Sequence, residues 1–279
     1  MSDAATPAEA TPQTRLAVDL VGRTAVILGG TKGIGRAAGR MLAARGANVV
    51  IQGRDAAAGA AFVAECANCV GEQLFVASDL MTYAGIEEPM TRAHQRFGRI
   101  DVVVASGGPV APRPKLFVDM TPEDGIGTLE SRLMPRLNAL HAAVKFMKPQ
   151  GYGKIILIGS DAARIPTPSE SMIGAAAAVV QFLTRALAVE LAGFGIRVNN
   201  VPTTLTTDTP RHDQYLAAKA AGSKEVIVKA FSKAEERVKF RLNTAQDLAE
   251  YISFLAGPES DQISGSTLSI NGGLSFPGY

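Results

Sequence analysis

Gly29-Gly30-Thr31-Lys32-Gly33-Ile34-Gly35-Arg36 is the stretch on which the reading of this chain turns. It follows a short β-prone run, Thr24-Ala25-Val26-Ile27-Leu28, and opens a helical pattern that continues to about Arg45. Strand, glycine turn and helix in that order make the start of a β-α-β unit. Glycines at such a turn let the chain bend sharply, and they let a phosphate approach the free N–H groups at the helix start. Taken alone the cluster is weak evidence, because a purely structural turn uses glycine for the same reason.

Working outward, the same alternation recurs. Asn48–Gln52, Gln73–Ala77, Asp101–Ala105, Lys154–Ile158, Ile196–Val201 and Ser266–Ile270 read as further strands. Helical segments separate them, among them an Ala-rich stretch from about Ser171 to Ala192 and a last one from about Ala245 to Ala256. Strands alternating with helices predict an α/β fold: one doubly wound parallel sheet of about seven strands, helices on both faces. The segment 203–241 is charged, helical and interrupted by Pro and Gly, and it stands where a substrate lid belongs.

The bulk numbers fit that picture and exclude others. With 279 residues, 47% of them apolar, the chain has ample material for one large core. Net charge is +2 with no basic block, so neither nucleic acid nor an anionic membrane is the expected partner. No apolar run in the sequence approaches the roughly 20 residues that span a bilayer. Residues 1–17 are rich in Ala, Thr and Pro, and lack both a signal core and an Arg-rich transit face. They read as a disordered extension of a cytoplasmic protein, with residues 18–279 forming the domain. Cys66 and Cys69 form a C-x-x-C, but the pair falls late in a helical stretch with no His beside it. They read as small apolar fillers, not as a redox or zinc motif.

Several later motifs lie in a telling order: Asp79-Leu80, Ala105-Ser106-Gly107-Gly108, Ile158-Gly159-Ser160, Gly195-Ile196-Arg197-Val198-Asn199 and Ile270-Asn271-Gly272-Gly273. With the glycine turn, they resemble the landmarks of the short-chain dehydrogenase/reductase family over about Asp19 to Leu274. The resemblance implies a Rossmann-type fold, a nicotinamide cofactor and a small-molecule substrate. It puts the cofactor's pyrophosphate on the turn of Gly29, Thr31, Lys32, Gly33, Ile34 and Gly35. Asp79 and Leu80 would flank the adenine, and Ala105 and Gly107 would line the groove beyond it. Enzymes of this type that use NAD carry a carboxylate at the end of strand two. Gln52-Gly53-Arg54 stands there, with no carboxylate before Asp55. Arg54 offers a guanidinium fork to a 2′-phosphate and Lys32 lies inside the same turn, so NADP is expected in preference to NAD.

The chemistry end departs from the family. Its members pair a Ser and an Asn with a Tyr-x-x-x-Lys: Tyr exchanges the carbonyl proton, Lys lowers its pKa and holds the ribose, Ser steadies the oxygen. Counting on from Ser160 places the Tyr position at Ile173 and the Lys position at Ala177. No register rescues the pair, since the chain has no tyrosine between Tyr152 and Tyr215 and no lysine between Lys154 and Lys219. Arg132 occupies the Asn position, with Pro135 close behind. The candidate catalytic residues are therefore Ser160 and Arg132. Asp161, Arg164, Glu170 and Ser171 stand near by in sequence, and Arg211, His212, Tyr215 and Lys219 are candidates in the lid, with Tyr215 a conceivable replacement acid.

Two functions remain open on these residues. One is an NADP(H)-dependent oxidoreductase with a rebuilt proton site, suited to a conjugated C=C, a carboxylate or a thioester. The other is a catalytically silent homologue serving as a structural or regulatory subunit beside an active paralogue. A hydrolase with Ser160 as nucleophile needs a histidine, and His94, His141 and His212 are scattered. The same scatter gives no metal site. The resemblance also implies a homo-oligomer (dimer or tetramer) or a mixed oligomer, packed through the apolar face of Ala175–Leu191 and through the last strand.

Overall fold

A computed structural model describes residues 18–108 and 113–274; the expected N-terminal extension lies outside the described residues. Six strands form one parallel sheet: β1 (Thr24–Leu28), β2 (Asn48–Gly53), β3 (Gln73–Ala77), β4 (Val102–Ala105), β5 (Gly153–Ser160) and β6 (Ile196–Thr203). Their order is β3-β2-β1-β4-β5-β6. The winding reverses between β1 and β4, where Leu28 sits level with both Gln52 and Ala105. A reversal of this kind opens a crevice beyond the carboxyl ends of the strands, because the crossovers on its two sides run in opposite directions.

The described residues form eight α-helices, six of them packed on the sheet and α6 and α7 beside it: α1 (Gly33–Ala44), α2 (Ala56–Glu65), α3 (Tyr83–Phe97), α4 (Pro122–Gln150), α5 (Ser171–Leu191), α6 (Pro210–Ala220), α7 (Val226–Arg237) and α8 (Ala245–Ala256). On one face Leu42, Phe62, Leu248 and Ile252, from α1, α2 and α8, meet Val49 and Ile51 of β2. On the other Ile86, Met90, Leu140, Met147 and Val180, from α3, α4 and α5, meet Val26, Val103 and Ile155. The central strands are apolar along both faces because both are covered.

The helix that carries Arg132 starts cleanly. Thr121 accepts from the Asp124 N–H at 3.2 Å, and the Asp124 carboxylate accepts from the Thr121 N–H at 3.1 Å, a reciprocal cap. So anchored, α4 runs on through Pro135, which does not break it.

The expected seventh strand is reduced. Ser266–Ile270 runs beside β6 but touches it through two parallel bridges, Asn200 with Thr267 and Thr203 with Ile270. Side chains interrupt the ladder there: Val198 N–H donates to Ser264 Oγ at 3.2 Å, and Ser266 N–H to Asn199 Oδ1 at 3.0 Å. The segment 203–241 supplies α6, α7 and a two-residue parallel pairing of Thr206–Thr207 with Asn243–Thr244.

One expectation about length needs correcting. Ser171–Phe194, with mean hydropathy 1.7 over its most apolar window, is long and apolar enough to cross a membrane. It is nonetheless the crossover between β5 and β6, with Ala176, Val180, Thr184 and Leu191 buried against the domain. A central helix covered by sheet and neighbour is apolar for the same reason as a membrane helix.

Candidate active site

The carboxyl ends of all six strands open into one cleft of about 810 Å³. Gly29 follows β1, Gly53 and Arg54 close β2, Asp79 and Leu80 follow β3, Ser106 and Gly107 follow β4, Ser160 ends β5 and Thr203 ends β6, and all of them line it. The glycine turn is required by sterics at two points. Gly29 has φ +78°, and a Cβ there would run into the Gly107 backbone. A Cβ on Gly107 would run into Leu80. The backbone of β1 and β4 thus approaches closely, leaving a groove floor without side chains.

Most of the expected cofactor residues meet here. Gly29, Thr31, Lys32, Gly33, Ile34, Arg54, Asp79, Leu80 and Gly107 all line the cleft. Two do not. Gly35 is buried one turn into α1, where a Cβ would strike the Gly29 carbonyl, so it holds helix to turn. Ala105 is a core residue of β4, 3% exposed.

The end of β2 bears on the nucleotide. Gln52 turns inward: its Oε1 accepts from the Gly29 N–H at 3.1 Å and its Nε2 donates to the Ser78 carbonyl at 2.5 Å. It ties three strand ends together and offers nothing to a ribose. The Asp55 carboxylate accepts from the Ala58 N–H at 3.0 Å as the cap of α2, and pairs with Lys32 at 3.0 Å. Those two partners hold its carboxyl below the usual range. Arg54 lines the cleft, exposed and without an ion-pair partner among the described residues. A dinucleotide therefore fits the cradle, and the residues at its ribose end are cationic where a diol-binding carboxylate would stand.

At the other end the cleft is lined by Ile173, Ala177, Ser160, Arg132, Arg136, Glu170 and Arg211. Ile173 and Ala177 are 9% and 7% exposed, and they present hydrocarbon to it. No tyrosine and no histidine is among the described residues that line the cleft. Tyr152 and Lys154 lie at the opposite end of β5, where Lys154 is buried on Ser260 Oγ and Asp261, both at 2.9 Å. Six strand residues, about 20 Å, separate Lys154 from Ser160.

The structure sorts the remaining candidates. Asp161 is committed: its carboxylate accepts from Ser269, from Arg164 at 3.2 Å and from Asn271 at 3.0 Å, pinning the segment after Ser266 to the end of β5. Arg164 is spent in the same knot. Tyr215 faces away, its hydroxyl 2.7 Å from Glu235 Oε2, among Leu205 and Val228 between the lid helices. Lys219 shares that carboxylate, and neither it nor His212 lines the cleft. Tyr215 is not the replacement acid. Ser171 is exposed at the start of α5 and is not part of the lining either. Ser160 accepts from the Ala162 N–H at 3.2 Å, so its own proton stays free to donate.

Glu170 and Arg211 do enter the site, 3.6 Å apart. Glu170 precedes the first turn of α5, three residues before Ile173, which places it over the same helix face. Burial pushes its carboxyl up, and Arg211 and Arg132 pull it part of the way back. Burial pushes Arg132 down, with Arg211 adding to that and Glu170 opposing. Arg136 was not singled out in the sequence. It lies one turn after Arg132, and that i, i+4 spacing was the available signal. Its Nε donates to the Ile158 carbonyl at 2.8 Å and its guanidinium to the Arg132 carbonyl at 2.8 Å. Burial, with Arg132 beside it, pushes its pKa down to about 10.

Cys66 and Cys69 are free thiols at the C-terminal end of α2. Burial, then Cys69, pushes the Cys66 thiol up to about 11, away from a reactive thiolate.

A doubly wound sheet with a glycine-turn cleft at its switch point defines a dinucleotide-binding α/β protein. Comparison with known proteins gives the family. Residues 29–275 match the family described as Enoyl-(Acyl carrier protein) reductase. The 3-oxoacyl-(acyl-carrier-protein) reductase FabG of Escherichia coli is 31% identical over 260 residues, 91% of this chain and 97% of that one. The cis-4-hydroxycyclohexanecarboxylate dehydrogenase of Sinomonas cyclohexanicum is 33% identical over 252 residues, covering 90% and 96%. A crystal structure of a short-chain type dehydrogenase/reductase from Mycobacterium marinum superposes with a TM-score of 0.80 at 26% identity, covering 93% and 98%. The chain belongs to the short-chain dehydrogenase/reductase family, whose matched members are oxidoreductases.

Proposed function

We propose that this protein is an NADP(H)-dependent oxidoreductase whose proton-transfer site has been rebuilt around Arg132, Glu170 and Ser160. The observation that carries the reading is the pairing of two halves in one cleft. A nucleotide cradle is kept intact, and the hydrocarbon of Ile173 and Ala177 is ringed by partly buried charged groups. Burying charge is costly, so a subunit that bound nothing would gain stability by losing those groups. This argues against the silent-subunit alternative.

When bound, NADPH supplies a hydride. The rest falls to the chain's own residues. Arg54 would pair with the 2′-phosphate, and the N–H groups at the start of α1 would meet the pyrophosphate. Ser160 donates a hydrogen bond to a substrate oxygen, and the Arg132 guanidinium stabilises the negative charge that develops on it. An arginine does not release a proton at neutral pH, whereas Glu170, raised by burial, is suited to exchange one. Reduction of a C=C bond conjugated to a carbonyl needs that combination: an electrostatic hold on the enolate oxygen, and an acid for the carbon. The enoyl reductase description of the matched family is in keeping with such a substrate, or with a thioester of it.

The outward face of α5 shows Val179, Phe182 and Val189 at 41%, 63% and 80% exposure. A second copy of the chain, in a dimer or tetramer, is the proposed cover.

A screen with NADPH of simple ketones against conjugated enones and enoyl thioesters tests the function. The expected result is turnover of conjugated substrates, with unconjugated ketones at least a hundredfold slower. Comparable turnover of simple ketones would overturn the rebuilt site.

A further inference from the structure

The substrate end of the cleft has a charge imbalance that the hydride chemistry does not require. Among the described residues lining it, Arg136 and Arg211 face one carboxylate, Glu170, which lies 3.6 Å from Arg211 and away from Arg136's hydrogen-bond partners. Asp161 is neutralised by Arg164 and tied to Asn271. Arg136 sharpens the point. Both of its hydrogen-bond partners among the described residues are neutral backbone carbonyls, those of Ile158 and Arg132. No carboxylate among the described residues pairs with it, although it is half-buried and that burial pushes its pKa down. Elsewhere this chain pairs its buried arginine: Arg45, 5% exposed, is held by Asp19 at 2.6 Å and Glu259 at 3.1 Å. Buried charges are paired in proteins unless a ligand completes them.

Position adds to composition. Arg136 reaches the Ile158 carbonyl, two residues before Ser160, and its guanidinium lies 3.7 Å from where a Cβ on Gly108 would stand. Arg211 reaches the same cleft from α6, its guanidinium 5.3 Å from the centre of the Phe231 ring. Ile165, Ile173 and Val180 add apolar wall to the same cleft. On α7, Lys229, Lys233 and Arg237 recur every fourth residue along the same cleft, with no ion pair among the described residues. A row of one sign at the mouth of a low-dielectric cleft raises the local concentration of the opposite charge.

We infer that Arg136 and Arg211 form an anion subsite, and that the substrate is an organic acid whose carboxylate docks there with its reactive carbon beside Ser160. The inference rests on the oxidoreductase reading and narrows its substrate class. A guanidinium fork suits the planar two-oxygen geometry of a carboxylate. The apolar walls take the remainder of the molecule.

The test uses the whole protein saturated with NADP and two probes of one shape, cinnamate and its neutral amide, titrated by calorimetry. Cinnamate is expected to bind at least tenfold more tightly than the amide, and the advantage to shrink as salt is raised. In Arg136→Met the ratio should fall to within about twofold, while Arg136→Lys, which keeps the charge, retains part of it. NADPH affinity, read by nicotinamide fluorescence, should stay within about twofold in both variants. Equal binding of acid and amide by the unaltered protein would overturn the subsite while leaving the cofactor reading in place. A large loss of NADPH affinity in Arg136→Met would overturn it too, by showing that the cofactor's phosphates are the anion. Failure of NADPH to bind the unaltered protein would remove the oxidoreductase reading instead.

Discussion

Arg45 is buried and Arg136 is half-buried at the wall of the cleft, and replacing each by methionine should have opposite consequences. The Arg45 guanidinium donates to Asp19 at 2.8 and 2.6 Å, to the Ser253 carbonyl at 2.6 Å and to Glu259 at 3.1 Å. Removing one partner of a buried ion pair costs about 3–5 kcal/mol. Asp19 and Glu259 are 32% and 41% exposed and rehydrate when released, so the low end, about 3 kcal/mol, applies. Arg136 has no such partner among the described residues. Burial pushes its pKa well below the ordinary arginine value, to about 10; at ~1.36 kcal/mol per tenfold in proton affinity, keeping it charged costs on the order of 3 kcal/mol. Methionine relieves that cost and keeps the apolar stem. It loses two hydrogen bonds to carbonyls, about 1 kcal/mol each. The expected outcome is a stability within about 1 kcal/mol of the unaltered protein or above it. Thermal melts followed by circular dichroism read the difference. At about 2–4 °C per kcal/mol, the two variants should melt about 6–12 °C apart, Arg45→Met lower. If Arg136→Met falls as far as Arg45→Met, Arg136 is a structural residue and the argument from an uncompensated charge is wrong.

Further outcomes follow from the same geometry. Arg54→Ala should weaken NADPH binding by about 10–100-fold, the worth of a charge-assisted contact of ~1.5–3 kcal/mol, and leave NADH almost unchanged by fluorescence titration. Glu170→Gln should lower kcat on a conjugated substrate by about 10²–10⁴ with little change in NADPH affinity. The same variant reports on pH. Burial raises the Glu170 carboxyl in the folded state, so its contribution to stability is full below the unfolded pKa and is lost as pH rises through the folded one. The melting temperature of Glu170→Gln relative to the unaltered protein should therefore climb between pH 4 and pH 8, and a flat difference would contradict the assigned direction. Phe182→Asp, at a position 63% exposed on α5, should shift the particle to a smaller mass in light scattering without unfolding it.

The sheet was legible because its strands are covered on both faces and so read as continuous apolar runs. The glycine turn, Asp79-Leu80 and Ser160 were legible because backbone approach and strand-end position restrict which residues fit. Ser266–Ile270 looked like a strand by composition, but the side chains of Ser264 and Asn199 took ladder hydrogen bonds, a competition that composition does not show. Asp161, Arg164 and Tyr215 were plausible acids or anchors by proximity in sequence. Their partners, Ser269, Asn271 and Glu235, lie 108, 110 and 20 residues away. Such long-range pairings leave no local trace. Arg136 went unseen for the converse reason: its i, i+4 spacing from Arg132 was a weak signal, and the want of a carboxylate partner among the described residues shows only in the assembled cleft.

The central claim is our proposal that the cleft grips NADPH with the hydrocarbon of Ile173 and Ala177 at the positions expected for the family's tyrosine and lysine. Nicotinamide fluorescence titration of the unaltered protein tests it most directly. The account predicts saturable NADPH binding, with NADH at least tenfold weaker. No binding at millimolar NADPH, or tighter binding of NADH, would contradict it.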